Sequence, residues 1–185
     1  MKKWAFLALS IILFACKSKK DKEPPSGSFP VLSYIQSQVK DVDTSLYAII
    51  KITTVGERVD TAYIPREEFA SVAYDFLTLP DISKTEWRQR YTETQTYDQM
   101  LEKAVLLYTA KEPELEVRSE QVLIQPGNGE PDEVKTIIID HVVNKGDSTV
   151  QKNLIWQVNS HFQVATSIQK PNQPEKRILT KVIWK

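Results

Sequence analysis

Two histidines are the side chains of this sequence that could do the most specific chemistry, because imidazole nitrogens are common ligands of transition metals. His141 and His161 fall in two predicted strands that have a third predicted strand between them. Strands once removed in a sheet lie about 9.5 Å apart, whereas zinc needs each nitrogen ligand at about 2 Å. The spacing therefore predicts that the two histidines do not share a metal ion. We expect neither a metal nor a cofactor.

Carboxylates come close together in two places. Glu112, Glu114 and Glu116 alternate on one face of a predicted strand beside a turn. They could form an acidic lip or bind a cation such as calcium, or they could solvate the edge of the strand. Glu67 and Glu68 stand where a helix begins, and the helix dipole favours acidic residues there. Solvation and the helix dipole are the interpretations that we favour.

Catalytic motifs are missing from the sequence. There is no Gly-x-Ser-x-Gly elbow, no Gly-rich phosphate loop ending in Lys-Ser or Lys-Thr, and no His-Glu-x-x-His. Gly127-Asn128-Gly129 lacks the lysine and the helix that a phosphate loop needs, so it indicates a turn. We therefore expect no catalytic residue and a protein that is not an enzyme.

Trp87, Trp156 and Trp184 could stack on sugars or anchor a protein partner. Their ordinary spacing on predicted elements is more typical of core residues, which is the interpretation that we favour. The ligand-binding residues stay unassigned.

The first 16 residues follow the order of a bacterial secretion signal. Lys2 and Lys3 are followed by an apolar run over residues 4–14, and Ala15 precedes Cys16. The run is about half the length that a membrane-spanning helix needs. Residues 13–16, Leu-Phe-Ala-Cys, resemble the lipobox of bacterial lipoproteins, with Phe14 in place of the usual small or β-branched residue. That resemblance implies that Cys16 is lipidated and becomes the first residue of the mature protein.

The segment that follows is typical of a tether. Residues 17–28, KSKKDKEPPSGS, are almost without apolar side chains and cannot offset their ordering entropy by burial. Lys17 stands where an Asp would favour the inner membrane in lipoproteins, so the resemblance implies the outer membrane. The tether also resembles the surface-export signals of Bacteroidota lipoproteins, and the choice between the periplasmic and the outer face stays open.

The body is similar to uncharacterised lipoproteins of the same group, in Phe29-Pro30-Val31 and in Asp60-Thr61-Ala62-Tyr63-Ile64. That similarity implies no activity and no site residue. The predicted organisation is a signal peptide at 1–15, a lipidated cysteine with a flexible tether at 16–28, and one domain at 29–185. Cys16 is the only cysteine, so no disulfide is expected.

Charge excludes one class of partner. The chain has 24 basic and 24 acidic residues, and residues 1–28 hold six of the basic and two of the acidic ones, which leaves the domain 18 basic and 22 acidic. A nucleic-acid-binding protein would show a basic stripe instead. The partners that we expect are the membrane, through Cys16, and an envelope protein or an apolar ligand.

Helices are predicted early in the domain. Pro30 precedes an apolar repeat at helical spacing, formed by Val31, Ile35, Val39 and Val42. A second helix is predicted between Pro65 and Pro80, with an apolar stripe on one side made of Phe69, Val72, Ala73, Phe76 and Leu77. Residues 83–86, Ser-Lys-Thr-Glu, fit a capping box before a short third helix.

Strands fill the rest of the domain. Residues 46–55 and 58–64 form a predicted hairpin around Gly56-Glu57, and residues 92–97 are compatible with an extended segment. Six further strands are predicted at 103–110, 114–125, 133–143, 148–158, 161–169 and 176–184. Such short connections favour antiparallel neighbours. The predicted class is α+β, an antiparallel meander with two or three helices packed mainly on one face.

Three predicted strands are apolar at consecutive positions, at residues 48–50, 105–107 and 137–139. Such strands are either covered by protein on both faces or form a concave apolar surface that is open to a ligand. The leading hypothesis for function is a non-enzymatic, membrane-tethered binding or scaffold domain of the envelope. The alternatives are a periplasmic carrier or sensor of an apolar ligand, and an enzyme inhibitor or an unrecognised enzyme.

Overall fold

The computed structural model describes residues 28–127 and 129–184. The predictions for the signal peptide, Cys16 and most of the tether lie outside these residues. The helices are α1 (Val31–Thr44), α2 (Phe69–Val72), α3 (Tyr74–Leu77) and α4 (Thr85–Arg88), with a 3₁₀ turn at Arg66–Glu68. The strands are β1 (Ile49–Val55), β2 (Arg58–Tyr63), β3 (Tyr91–Asp98), β4 (Lys103–Ala110), β5 (Val117–Gln125), β6 (Glu133–Lys145), β7 (Ser148–Gln157), β8 (His161–Gln169) and β9 (Lys176–Trp184).

The nine strands form one antiparallel sheet in the order β2-β1-β9-β8-β7-β6-β5-β4-β3. From β3 to β9 each strand pairs with the next along the chain, so the predicted antiparallel meander is confirmed. The pairing of β1 with β9 was not predicted, and it attaches the first hairpin to the last strand of the meander.

The first hairpin forms where the turn chemistry predicts it. Gly56 has a φ of 58°, a left-handed conformation that a residue without a Cβ adopts at little cost. β1 begins at Ile49 rather than at residue 46, and Leu46 and Tyr47 are exposed ahead of it. The hairpin thus exists as predicted, with a later start.

The second predicted helix is interrupted. Ala73 has φ −83° and ψ 6°, and Phe76 N donates to Ala73 O across three residues, so the segment forms two single turns instead of one continuous helix. Its apolar stripe still contributes to the core, because Phe69, Ala73 and Phe76 are fully buried.

The predicted capping box is wrong. The residue that precedes α4 is Lys84, and among the described residues no side chain caps this helix. Ser83 Oγ donates instead to Asp81 Oδ1 at 2.6 Å, and Ser83 N donates to the same oxygen at 3.2 Å. Ser83 thus forms an Asx turn with Asp81 instead of capping the helix.

The two faces of the sheet differ in their side chains. Trp156, Phe162 and Trp184 lie on one face, here called the aromatic face, and the rings of Phe69 and Phe76 contact them with centroids 5.1–6.4 Å apart. The other face, here called the groove face, carries the alternate residues of the same strands. The consecutive apolar residues of β6 are divided between the two faces. Ile137 and Ile139 are fully buried on the aromatic face, and Ile138 is half-buried on the groove face.

The aromatic cluster predicts a large effect for one substitution. Phe76→Ala removes a fully buried ring that contacts Trp156 and Phe162, so it should lower the free energy of unfolding by about 3–4 kcal/mol. Tyr74→Ala, at a neighbouring position that is 64% exposed, is the matched control and should change it by less than about 1 kcal/mol. Urea unfolding followed by tryptophan fluorescence measures both. Equal losses would show that the cluster is not the centre of the core.

Candidate functional site

A groove of about 590 Å³ lies at the end of the sheet where the β1–β2 and β8–β9 turns meet. Its surface is mostly apolar. Sites for small molecules in proteins typically measure about 300–1,000 Å³. The lining comes mainly from the groove face of four adjacent strands and includes Thr54, Asn153, Ala165, Ser167, Arg177 and Leu179.

Strand register explains why a depression forms here. Asn153, Ala165 and Leu179 are cross-strand neighbours in one row, and Thr54 extends the row onto β1. Ala165 is the smallest side chain in that row, and it stands between two larger ones. A small residue flanked by large ones leaves a hollow that only a binding partner or water can fill.

One ion pair marks the rim of the groove. Arg177 donates from Nε to Glu175 Oε2 at 2.8 Å, and Ser167 Oγ donates to the other oxygen of the same carboxylate. The hydrogen bond from Arg177, followed by that from Ser167, lowers the pKa of Glu175. The carboxylate is therefore ionised near neutral pH, and its charge is matched by that of Arg177.

The groove face carries few charges where its strands pair. On β1 and on β5 to β9, the charged residues in the paired rows of this face are Lys181, Arg177, Asp140 and, at the start of β6, Glu133. Asp140 accepts hydrogen bonds from Ser119 at 3.0 Å and from Asn153 at 2.8 Å. The other positions carry aliphatic, hydroxyl or amide groups, with His161 at one end. This composition suits a surface that becomes covered, because charged residues are depleted at the centre of interfaces.

The two histidines lie on opposite faces of the sheet. His141 pairs with Lys152 on the aromatic face, and its Nε2 lies 3.5 Å from Glu116 Oε2. Burial lowers the pKa of His141, although Glu116 acts in the opposite direction. His161 lies on the groove face, two strands away, and its Nδ1 contacts Ser160 Oγ at 3.1 Å. The sheet thus keeps the two imidazoles apart.

The acidic residues of the β4–β5 connection make separate contacts. Glu112 forms an ion pair with Arg90, while Glu116 lies beside His141. β5 begins only at Val117, so Glu114 and Glu116 precede the strand and the predicted alternation on one strand face is wrong. Across residues 28–127 and 129–184, no group of three or more His, Cys, Asp or Glu residues could hold a metal ion.

The tryptophans divide between core and surface. Trp156 and Trp184 are buried in the aromatic cluster, as favoured from the sequence. Trp87 packs partly against the core, and the guanidinium of Arg90 lies 5.5 Å from the centre of its ring. A cation over an indole ring stabilises this corner modestly.

Glu120 is a buried carboxyl that the sequence analysis missed. It lies on the aromatic face opposite Tyr108 and Ile139, and it is 2% exposed. No hydrogen-bond partner of its Oε2 is found among the described residues. Burial, with a smaller contribution from Asp81, raises the pKa of Glu120 to about 8, so the group is protonated at neutral pH. The sequence contains a signal for its burial, because Glu120, Val122 and Ile124 are alternate residues of one strand and therefore lie on the same face.

Comparison with known proteins returned no similarity: no family model, no curated protein and no solved structure matches this chain. Among the helices that the structure describes, none is long and apolar enough to cross a membrane.

Glu120 predicts how stability depends on pH. The folded state holds this proton up to about pH 8, whereas the unfolded chain releases it near pH 4.5, so the contribution of Glu120 to stability falls as the pH rises between these values. The slope is about 1.4 kcal/mol per pH unit. Glu120→Gln should remove this slope and stabilise the protein at pH 8 relative to the unmodified chain.

Thermal unfolding at pH 5 to 8 measures the effect. Glu57→Gln, which replaces an exposed carboxylate in the β1–β2 turn, is the matched control and should leave the slope unchanged. A Glu120→Gln variant whose stability falls with pH as steeply as that of the unmodified chain would contradict the buried acid.

Proposed function

We propose that this chain is a lipid-anchored protein of the cell envelope whose domain at residues 29–185 is a non-enzymatic binding or scaffold domain. The lipobox resemblance at residues 13–16 and the polar composition of the tether support the anchor at Cys16. Lys17 supports the outer membrane. A tether of 12 residues reaches at most about 40 Å, so it keeps the domain close to the bilayer.

The domain, in this proposal, keeps its helices mainly on the aromatic face. Three contacts support that arrangement. The rings of Phe69 and Phe76 pack on the tryptophans, Lys152 of β7 forms an ion pair with Asp75 of α3 at 2.6 Å, and Asn159 N donates to Gln38 of α1 at 3.2 Å. The aromatic face is then occupied by the chain itself, and the groove face is the one available to a partner.

The groove is the observation that carries the binding function. It has a volume of about 590 Å³ and a mostly apolar surface. The charges of Arg177 and Glu175 at its rim neutralise each other. A charged occupant would have to displace Arg177 from Glu175 or remain unpaired in an apolar environment, which is costly. The groove therefore favours an uncharged, largely apolar group, such as a side chain of a protein partner.

Carriage of an apolar ligand is the second candidate, and the apolar lining of the same groove supports it. Such a ligand would occupy the groove face rather than the space between helices and sheet. At the end where β7 and β8 turn, that space is filled by the rings of Phe69, Phe76 and Trp156.

Photo-cross-linking in the envelope tests the groove and separates these two candidates. A photoreactive phenylalanine analogue at Leu179, a groove residue that is 37% exposed, should capture a defined partner. A protein adduct supports the binding domain, and a lipid adduct supports the carrier. Leu46, which is 94% exposed beyond the far end of β1, is the matched control position. Equal capture at both positions, or none at Leu179, would contradict a binding role of the groove.

Membrane fractionation tests the anchor separately. Cys16→Ser removes the thiol that would carry the lipid, so the full chain should leave the membrane fraction and lose acyl labelling. Lys17→Ser keeps the thiol, and it should keep the label. A Cys16→Ser chain that stays acyl-labelled and bound to the membrane would rule out the anchor.

A further inference from the structure

The β3 strand forms one end of the described sheet, and no strand among the described residues pairs with its outer edge. Residues 92–97 are all exposed, and β3 pairs with β4 over eight consecutive positions without a bulge. Edge strands usually carry devices that prevent pairing with another chain, such as lysines, prolines, bulges or short length. The interior of β3, TETQTY, contains none of these, and Glu93 is its one charged residue.

The backbone groups that face this edge can be identified. Lys111 N donates to Arg90 O at 2.9 Å, so the backbone of residue 90 faces β4. Backbone groups alternate between the two sides of an antiparallel strand. The N–H and C=O groups of Tyr91, Glu93, Gln95 and Tyr97 therefore face the free edge, where a further strand can bond to them.

We propose that β3 pairs antiparallel with β3 of a second copy of this chain, about a two-fold axis through Thr94. This register is self-complementary. It places Thr92 opposite Thr96, Tyr91 opposite Tyr97, and Glu93 opposite Gln95. It also brings Arg90, which directly precedes the strand, opposite Asp98. Threonine pairs and opposite charges are cross-strand neighbours that stabilise antiparallel sheets. Tyr91 is buried and its Oη donates to Val117 O, so it contributes to the pairing through its backbone.

Neighbouring registers are less favourable. A shift by one residue in each copy in one direction places Glu93 opposite Glu93, which is repulsive. The opposite shift places Glu93 opposite Tyr97 and Asp98 opposite Thr92, and it leaves both charges unmatched. In the proposed register, the four residues whose backbone groups face the free edge all lie in hydrogen-bonded pairs. Two copies form four such pairs with two hydrogen bonds each, or about eight hydrogen bonds in total.

Pairing of β3 with β3 of a second copy is favoured over pairing of β3 with β2, because the first arrangement closes into a dimer. Two β3 strands related by a two-fold axis use up both copies of this edge, whereas β3 on β2 would leave free edges and grow into a fibre. β2 is also shorter, and it carries Arg58 and Asp60 within six residues. Such charges on a short strand are typical of a protected edge.

The position of the domain's first residues fits this arrangement, in a step that rests on the proposed anchor. Ser28 Oγ lies 3.4 Å from Glu93 Oε2, and Phe29 N donates to Tyr108 Oη at 2.8 Å, so the domain begins beside β3 on the aromatic face. A two-fold axis perpendicular to the sheet places the first residues of both copies on the same face and close together. Both lipids can then insert into one bilayer, and two anchors hold a complex far more firmly than one.

Disulfide trapping of the full chain in membranes tests the pairing. Thr94→Cys places two thiols on the axis, and Thr92→Cys co-expressed with Thr96→Cys places them in facing positions. Both are non-hydrogen-bonded pairs with Cα atoms about 4.5 Å apart, within the range that a disulfide spans. Mild oxidation should yield dimers from Thr94→Cys alone and from the mixture, but not from Thr92→Cys or Thr96→Cys alone.

Two controls make the outcome decisive. The unmodified chain reports any disulfide through Cys16, and Thr61→Cys tests the exposed centre of the other edge. Adding Thr94→Lys to the Thr92→Cys and Thr96→Cys copies should reduce the dimer about tenfold, because two lysines meet on the axis.

Absence of a Thr94→Cys dimer, or an equal yield from Thr61→Cys, would overturn the proposal. The disulfide reports pairing in whichever fraction the protein is found. A dimer recovered from the soluble fraction would thus retain the pairing while rejecting the anchor.

Discussion

The chain between β2 and β3 has to cross the whole sheet, because these two strands lie at its opposite edges. That crossing segment carries Phe69 and Phe76, whose rings contact Trp156, Phe162 and Trp184. Each such ring contact adds about 0.5–1.5 kcal/mol beyond the burial of apolar area. The cluster thereby joins the crossing segment to the middle of the meander and to its last strand. The segment that connects the two edge strands is thereby held against the sheet.

The same cluster determines which face of the sheet is available for binding. Large rings fill one side of β7, β8 and β9, and the alternation of a strand then assigns the intervening residues to the other side. On that side Ala165 lies between Asn153 and Leu179, where a larger residue would fill the groove. The groove and the core are thus two consequences of one alternating pattern. The large rings occupy one parity of these strands, and mainly aliphatic, hydroxyl and amide side chains occupy the other.

Local patterns in the sequence predict the strands well and the long-range pairing poorly. The bounds of β8 and β9 match the prediction, because Asn159-Ser160 and the proline-rich turn at 171–174 are strong local signals. The pairing of β1 with β9 joins residues more than 120 positions apart, and no local pattern encodes it. The apolar stripe between Pro65 and Pro80 correctly predicts buried residues, but the helix is interrupted at Ala73. Apolar periodicity indicates which residues are buried and does not show whether the helical hydrogen bonds continue.

The groove was missed for a related reason. Ala165 is an ordinary residue within its own strand, and its role comes from neighbours on β7 and β9 that the register brings beside it. Glu120 differs, because its inward parity is visible within β5 alone. Predicting it required accepting that an acid can occupy a core position in the protonated form.

The start of the domain, the buried carboxyl of Glu120 and the edge of β3 lie on neighbouring strands, and each affects the others. Tyr108 of β4 accepts the hydrogen bond from Phe29 N where the domain begins, and it stands between Glu93 of β3 and Glu120 of β5. Since Glu120 is protonated below about pH 8, this row packs without a buried charge at neutral pH. A well-packed row keeps β4 and β3 in place, and a fixed β3 presents its edge groups in a constant geometry. Pairing at that edge then costs less ordering entropy than pairing at a strand that frays.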